Sequence, residues 1–366
     1  MTASLSYWER EALHKEYDLL VIGAGITGLI SAIQYKRAYP EKHVTVLERG
    51  FHPSGATTRN AGFACFGSIG ELLDDLTHES EEAVFSRFSR RFYGLQRLHA
   101  LVGTADIGYE HCGNYEIFDD AGAFTEAEKA IPFFNDWVYR VSGERDVFSS
   151  GKMNGFPVIA NRLEGVLHSG KLASVLLHLA QQAGVEVRFH TPVTALSGST
   201  VYVEDLALAS RQILVCTNGL TAQLLPETHI KPARGLVIVS HPVTGGTPWK
   251  GGFHYNKGFV YFRHIGDRLL IGGARNLAIE DETTFEFGVN PMIQTYLEQF
   301  TDQKLGLAGR WKPDVMWSGL MGFPTTKTPV IKRIDAHTVA AAGLGGIGVA
   351  IGALVAEDAL TLVEQS

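Results

Sequence analysis

Residues 17–28 read Tyr-Asp-Leu-Leu-Val-Ile-Gly-Ala-Gly-Ile-Thr-Gly, an apolar run of strand length that ends in G-x-G-x-x-G. Gly23 allows a tight turn and Gly25 lets backbone approach a pyrophosphate. Gly28 lets the following helix pack closely on the strand. That helix is expected over Leu29–Tyr39. The free amides before it, around Ile26 and Thr27, suit an anion because the helix dipole reinforces them. A second strand, Val44–Glu48, ends in an acid 20 residues past Gly28. A carboxylate there accepts from both hydroxyls of an adenosine ribose, which places Glu48 and its neighbour Arg49 beside a bound nucleotide. A chance glycine turn explains the hexapeptide alone, but not strand, helix and spaced acid together.

At 366 residues the chain is long for one hydrophobic core, so two domains are expected. Hydrophobic residues make up 45% and mean hydropathy is near zero, the balance of a folded globular protein. The formal charge of −7 is spread without long runs of one sign, which argues against nucleic acid as a partner. Cys65, Cys112 and Cys216 are odd in number and far apart, as free thiols in a reducing compartment are. Met1–Glu16 is polar, without the apolar centre of a secretory signal. Val339–Ala356 is uncharged for 18 residues, long enough to suggest a membrane span, but it holds five glycines. A buried strand, a glycine turn and a buried helix account for it better. A cytoplasmic protein with no membrane span is the expectation.

Along the chain, apolar positions between 71 and 102 recur at helical spacing and predict two amphipathic helices. Residues 103–160 are rich in aromatics and scattered glycines, with strand-length pieces such as Asn114–Phe118. A helix at Lys171–Gln182, a stop at Gly184 and strands at Val185–Phe189 and Ile213–Thr217 restore the α/β pattern. Residues 232–275 read as β, in Leu236–Val239, Phe259–Phe262 and Leu269–Ile271. The expected fold is therefore α/β. A discontinuous Rossmann-type domain (1–100, 156–225 and 315–366) is interrupted by a mixed, β-rich substrate domain (101–155 and 226–314).

Residues 53–63, Pro-Ser-Gly-Ala-Thr-Thr-Arg-Asn-Ala-Gly-Phe, resemble the flavin-facing loop of the D-amino-acid oxidase family, which includes glycine and sarcosine oxidases. The resemblance runs nearly end to end. Glu164–His168 and Val185–Leu196 look like the family's adenine-side unit, with Val193 facing the adenine. Cys216-Thr217-Asn218-Gly219 and Pro232-Ala233-Arg234-Gly235 match its domain crossover, and Trp317–Leu320 with Ala342–Val349 match its closing strand, turn and helix. The resemblance implies bound FAD, contacted by Thr57, Arg59, Asn60, Ala61, Gly62, Thr217, Asn218 and Gly219. The final turn, with Gly343, Gly345, Gly346, Ile347 and Gly348, presents a second helix N-terminus to the flavin C2 carbonyl and N1. Donors there stabilise the reduced ring.

Departures from the family pattern carry information. Relatives with covalent flavin use a histidine in the 57–62 loop or a cysteine near 321; Arg59 and Met321 stand here, so non-covalent FAD is expected. Relatives acting on α-amino acids clamp the carboxylate with an arginine after the Gly-Leu of the closing strand, where this chain has Met321. Phe259, Tyr261 and Arg263 share a face by strand alternation. Arg263 and Arg275 are the cations left to replace the clamp, and Phe259, Met321 and Phe323 offer an apolar wall. The lowest-assumption substrate is then a larger or secondary amine.

Gly165–Lys171 has P-loop spacing, but Leu172 stands where magnesium needs a hydroxyl, and Ser149-x-x-Lys152 lacks the partner motifs of acylating serines. No histidine pair at i, i+4 and no cysteine cluster appears, so no metal is expected. The reading is an FAD-dependent amine or amino-acid oxidase or dehydrogenase that forms an imine by hydride transfer to flavin N5. Electrons would pass to oxygen or an electron carrier, and no catalytic side chain beyond the flavin is required. Two alternatives stay open: an FAD-dependent 2-hydroxy-acid dehydrogenase, and a flavoprotein with decayed catalysis serving as a binding module.

Overall fold

The computed structural model describes residues 6–13, 16–204 and 206–365, so Lys15 and the first five residues of the polar N-terminal segment lie outside it. Tyr17–Ile22 forms the centre of one eight-stranded sheet, flanked in parallel by Val44–Leu47 and Leu206–Val215. Glu186–Arg188 extends one side; Thr338–Ala342 and the antiparallel Val330–Arg333 extend the other. Helices Ile26–Ala38, Glu81–Val102, Ser169–Gln182 and Gly348–Glu364 pack into one core on one face. The hairpin Val193–Ser197 and Thr200–Val203 contributes to a smaller core on the other. Burial on both faces is why these strands are continuous apolar runs rather than alternating ones.

The helix that follows Tyr17–Ile22 begins at Ile26, three residues ahead of the expected Leu29. Gly23 (φ +103°) and the extended Gly25 complete the turn by themselves, so Gly28 falls in the first helical turn. A Cβ on Gly28 would stand 2.1 Å from the Gly23 carbonyl oxygen, the close helix–strand approach its spacing predicts. The 71–102 pattern resolves into Ile69–Leu76 and Glu81–Val102, started by Ser68 and Ser80, whose hydroxyls accept from Glu71 N and Ala83 N.

The second sheet runs Pro313–Phe323, Lys231–Ser240, Arg268–Gly273, Val260–Ile265, Gly252–Tyr255, Asn114–Ile117, Phe156–Asn161 and Phe148–Met153. Trp249, Phe253 and Phe262 fill a core on one of its faces, with helix Pro291–Gln299. Register lines up His254, Tyr261, Gly272, Val237 and Trp317 across five strands of the sheet. Tyr261, Val237 and Trp317 of that row pack with Ala61 and Phe63 from the nucleotide side.

The aromatic stretch 103–160 holds an element its composition did not suggest, a 22-residue helix at Ala121–Ser142. Its Phe134, Trp137 and Val138 are buried in the same core as Glu81–Val102. Pro132 inside it masks the helical signal, since proline lacks the N–H that continues the ladder. The caps were nonetheless in the sequence: Asp120 accepts from Ala123 N, and left-handed Gly143 (φ +76°) ends the helix. Val339–Ala356 resolves into the end of a strand, a glycine turn and the start of a helix. Among the described residues no helix is long and apolar enough to cross a membrane.

Candidate active site

One continuous cavity of about 1270 Å³ is lined by both sheets. Pockets for a single small molecule run to roughly 1,000 Å³, so this one has room for a dinucleotide and a second ligand.

Ile22, Gly23, Gly25, Ile26, Thr27, Glu48, Arg49 and Val193 line one end. Glu48 is buried, and its two oxygens accept from Ala24 N and Gly50 N, each at 3.0 Å. Each oxygen keeps a lone pair for a ribose hydroxyl. The helix that starts here has no side-chain cap, as a site for a pyrophosphate requires. Thr57 Oγ1 accepts from Ile26 N at 2.9 Å, joining this turn to the 53–63 loop, so the Ile26 amide, expected to be free for an anion, is already taken.

That loop is braced from within. Asn60 Oδ1 accepts from Gly62 N (2.8 Å) and Ser169 Oγ (2.7 Å), while its amide donates to Ala56 and Thr57 carbonyls. Arg59 donates to Ser54 O and Ser318 O, lies over the Phe287 ring at 4.3 Å, and its own carbonyl accepts from Trp317 Nε1. Across the cavity, Asn218 Oδ1 accepts from Gly343 N (3.2 Å) and Leu344 N (3.1 Å), tying the crossover to the last glycine turn. Gly343 and Gly345 are left-handed (φ +76° and +59°), and the helix beyond has no side-chain cap at Ile347. Thr57, Arg59, Asn60, Ala61, Thr217, Asn218, Gly343, Gly345, Gly346, Ile347 and Gly348 all line the cavity.

Gly28, Gly62 and Gly219 are outside its lining. A Cβ on Gly62 would meet Leu167 O at 2.2 Å, and one on Gly219 would meet Met321 O at 2.5 Å. These two, like Gly28, make room for backbone against backbone rather than for a ligand.

Of the residues expected on the substrate side, Phe259, Tyr261, Met321 and Phe323 line the cavity together. The Tyr261 ring lies on Gly272, where a Cβ would be 2.6 Å away, and burial pushes its hydroxyl up to about 12. Arg263 requires a correction. It shares the strand face with Tyr261 but does not reach the cavity; its Nη1 donates to Gly62 O (2.8 Å), Leu167 O (2.8 Å) and Ala61 O (3.4 Å). The face read from alternation was right, but the adjacent carbonyls claim the guanidinium. Arg275, just past Arg268–Gly273, does line the cavity, half-buried with its guanidinium 4.7 Å from the Phe323 ring centroid. Among the described residues nothing accepts from it, and burial pulls its pKa down.

His254 and Cys65 also line the cavity and were not anticipated. The His254 ring packs on Phe63 at 4.9 Å, and burial pushes it down to about 4 against a small opposing effect of Glu71. The pairing Gly252–Tyr255 with Val260–Ile265 sets His254 opposite Tyr261, and that register is not visible in either segment alone.

Two glycine-rich helix starts whose N-cap residues carry no capping side chain, a buried acid between backbone amides and an apolar wall fit FAD; Glu48 could hold its adenosine, and the 57–61 loop and 343–348 turn its ring. The family model described as FAD dependent oxidoreductase, DAO, matches residues 18–361. The chain belongs to this family. It is an FAD-dependent oxidoreductase. Iminodiacetate oxidase from Chelativorans sp. BNC1 is a similar solved structure, with 18% identity and a TM-score of 0.75 over 95% of each chain. Glycine oxidase from Bacillus cereus ATCC 14579 matches at 18% identity and 0.73, covering 96% of this chain and 95% of that one. L-α-glycerophosphate oxidase from Mycoplasma pneumoniae, with FAD bound, matches at 12% and 0.71, covering 96% and 95%. At these identities the likeness is one of fold.

Proposed function

We propose that this protein oxidises the C–N single bond of an amine or amino acid to an imine, which hydrolyses in water, and that Arg275 holds an anionic group of the substrate. The observation that carries the proposal is Arg275 itself, a half-buried guanidinium in the cavity with no acceptor among the described residues. It stands beside Phe323, on the side of the cavity where Phe259 and Met321 form an apolar wall. A charge so placed is stabilised by a carboxylate brought by the substrate.

The chemistry FAD supplies when bound is acceptance of a hydride at N5. The chain's own residues hold and dehydrate the substrate. Arg275 fixes its anionic end, while Phe259, Met321 and Phe323 cover its apolar part and exclude water. A neutral amine brings its own lone pair to the reaction, so no side-chain base is assigned. Glycine oxidase and iminodiacetate oxidase, by their names, act on amines, which supports C–N chemistry here; glycerophosphate oxidase, by its name, acts on a phosphorylated alcohol, which keeps C–O oxidation, a 2-hydroxy acid included, as the alternative. The test is anaerobic flavin bleaching by a panel of primary amines, secondary amines, amino acids and 2-hydroxy acids. Bleaching by hydroxy acids alone would overturn the proposal. Flavin that dithionite reduces but no panel member does would favour a binding module.

A further inference from the structure

Cys65, Glu164 and His254 are 99 and 90 residues apart in the sequence yet meet at one point. Phe63–Ala64 and Gly165–Val166 pair antiparallel, with Ala64 opposite Gly165, so Cys65 and Glu164 are the next residues along that ribbon. His254 comes to them from the second sheet, its ring held on Phe63. The thiol sulfur, one carboxylate oxygen and one imidazole nitrogen all lie within 4.8 Å of one another.

We propose that this cluster is a binding site for a divalent, zinc-class cation, with three protein ligands and a fourth position open to the cavity. A soft sulfur, a borderline nitrogen and a hard oxygen form a donor set that suits zinc and excludes magnesium or calcium. Metal–ligand bonds of about 2.0–2.3 Å put the donors of a tetrahedral ion roughly 3.3–3.7 Å apart, so closing the cluster takes about 1 Å of side-chain movement. Glu164 is already oriented as a ligand carboxylate is: Phe66 N (2.7 Å) and Gly67 N (3.1 Å) donate to one oxygen and Asn114 Nδ2 (3.0 Å) to the other. All three donors are uncharged, so a fully buried carboxylate stands here without a cationic hydrogen-bond partner. The Cys65 thiol and the His254 ring, by contrast, belong to residues that line the cavity, and neither side chain makes a hydrogen bond with the described residues. Binding releases the Cys65 proton to solvent and forms the sulfur–metal bond in its place.

The test uses the FAD-loaded protein, stripped with a chelator and dialysed. Equilibrium dialysis against Zn²⁺ should give about one ion per chain at micromolar free metal or below. Cd²⁺ should produce an ultraviolet thiolate charge-transfer band, and Zn²⁺ should protect Cys65 from alkylation. Cys65→Ser and His254→Ala should each weaken uptake by at least about 100-fold while the flavin spectrum reports an intact fold, and Cys112→Ser should change nothing. Stoichiometry near zero in the wild type, or equal uptake by the Cys65→Ser/His254→Ala double variant, overturns the proposal. Metal uptake is measured without substrate, so its outcome is independent of the amine-oxidation reading.

Discussion

The Arg275 guanidinium lies over the ring of Phe323, 4.7 Å from its centroid, and both line the cavity together with Met321. Lys231–Ser240 lies between the two strands concerned, with Ala233 opposite Met321 and Leu236 opposite Gly273. Arg275 thus enters the cavity from the turn after Arg268–Gly273, and Met321 enters it from Pro313–Phe323. Arg275→Ala should lower kcat/KM by roughly 30- to 1,000-fold, the loss of about 2–4 kcal/mol of charge-assisted bonding, with Arg275→Lys intermediate. Stopped-flow flavin reduction of FAD-saturated variants measures it; unchanged reduction by carboxylated substrates would remove Arg275 from the site.

Arg263→Ala should behave differently. Its guanidinium donates to carbonyls of the 61–62 loop and of Leu167, hydrogen bonds worth about 1.5–3 kcal/mol each for a charged donor. The variant should melt several degrees lower and hold less flavin, while the FAD-bound fraction is reduced by substrate at nearly the wild-type rate. Loss of reduction rate with an unchanged melting temperature would restore Arg263 as a substrate group.

Glu48→Ala removes the carboxylate that accepts from Ala24 N and Gly50 N and that would also accept from the two ribose hydroxyls of bound FAD. Flavin affinity should fall about 100-fold or more, since each charge-assisted bond contributes about 1.5–3 kcal/mol. Reduction of the FAD-saturated variant should stay close to normal. Isothermal titration of flavin-free protein with FAD gives the first quantity and stopped-flow the second.

Acid precipitation should leave the flavin in the supernatant. Arg59 is occupied by Ser54 O, Ser318 O and Phe287, and the thioether of Met321 is no nucleophile for the ring. Yellow colour in the pellet would contradict non-covalent binding.

Fully buried Asp75 pairs with Arg87 (2.7 Å) and with Lys327, which lines the cavity. Burial works to raise its pKa, but the hydrogen bonds from Lys327 and Arg87 outweigh it and hold the carboxyl below its usual value. A folded-state pKa below the unfolded one adds stability that is present above about pH 4 and disappears as pH falls through the folded value. Asp75→Asn should therefore cost up to about 3 kcal/mol at neutral pH. The gap in melting temperature from the wild type should hold from pH 8 to 5 and close on further acidification.

Gly23–Gly28, the strand before it, Glu48 and the serine-capped helices were legible because each signal arises from residues within a few turns of one another. Ala121–Ser142 was missed because Pro132 obscured its period, although its caps at Asp120 and Gly143 were readable. Arg263 was placed on the right face, but what it would meet there was not written in its strand.

The sequence by itself determined the nucleotide turn, the α/β alternation around it and the family, since backbone conformation and apolar periodicity are local properties. The tertiary structure decided which arginine faces the cavity, that His254 stands opposite Tyr261, and that Cys65, Glu164 and His254 share one point. Those outcomes depend on register between strands distant in the chain, and on which carbonyls a long side chain reaches once the sheets have packed.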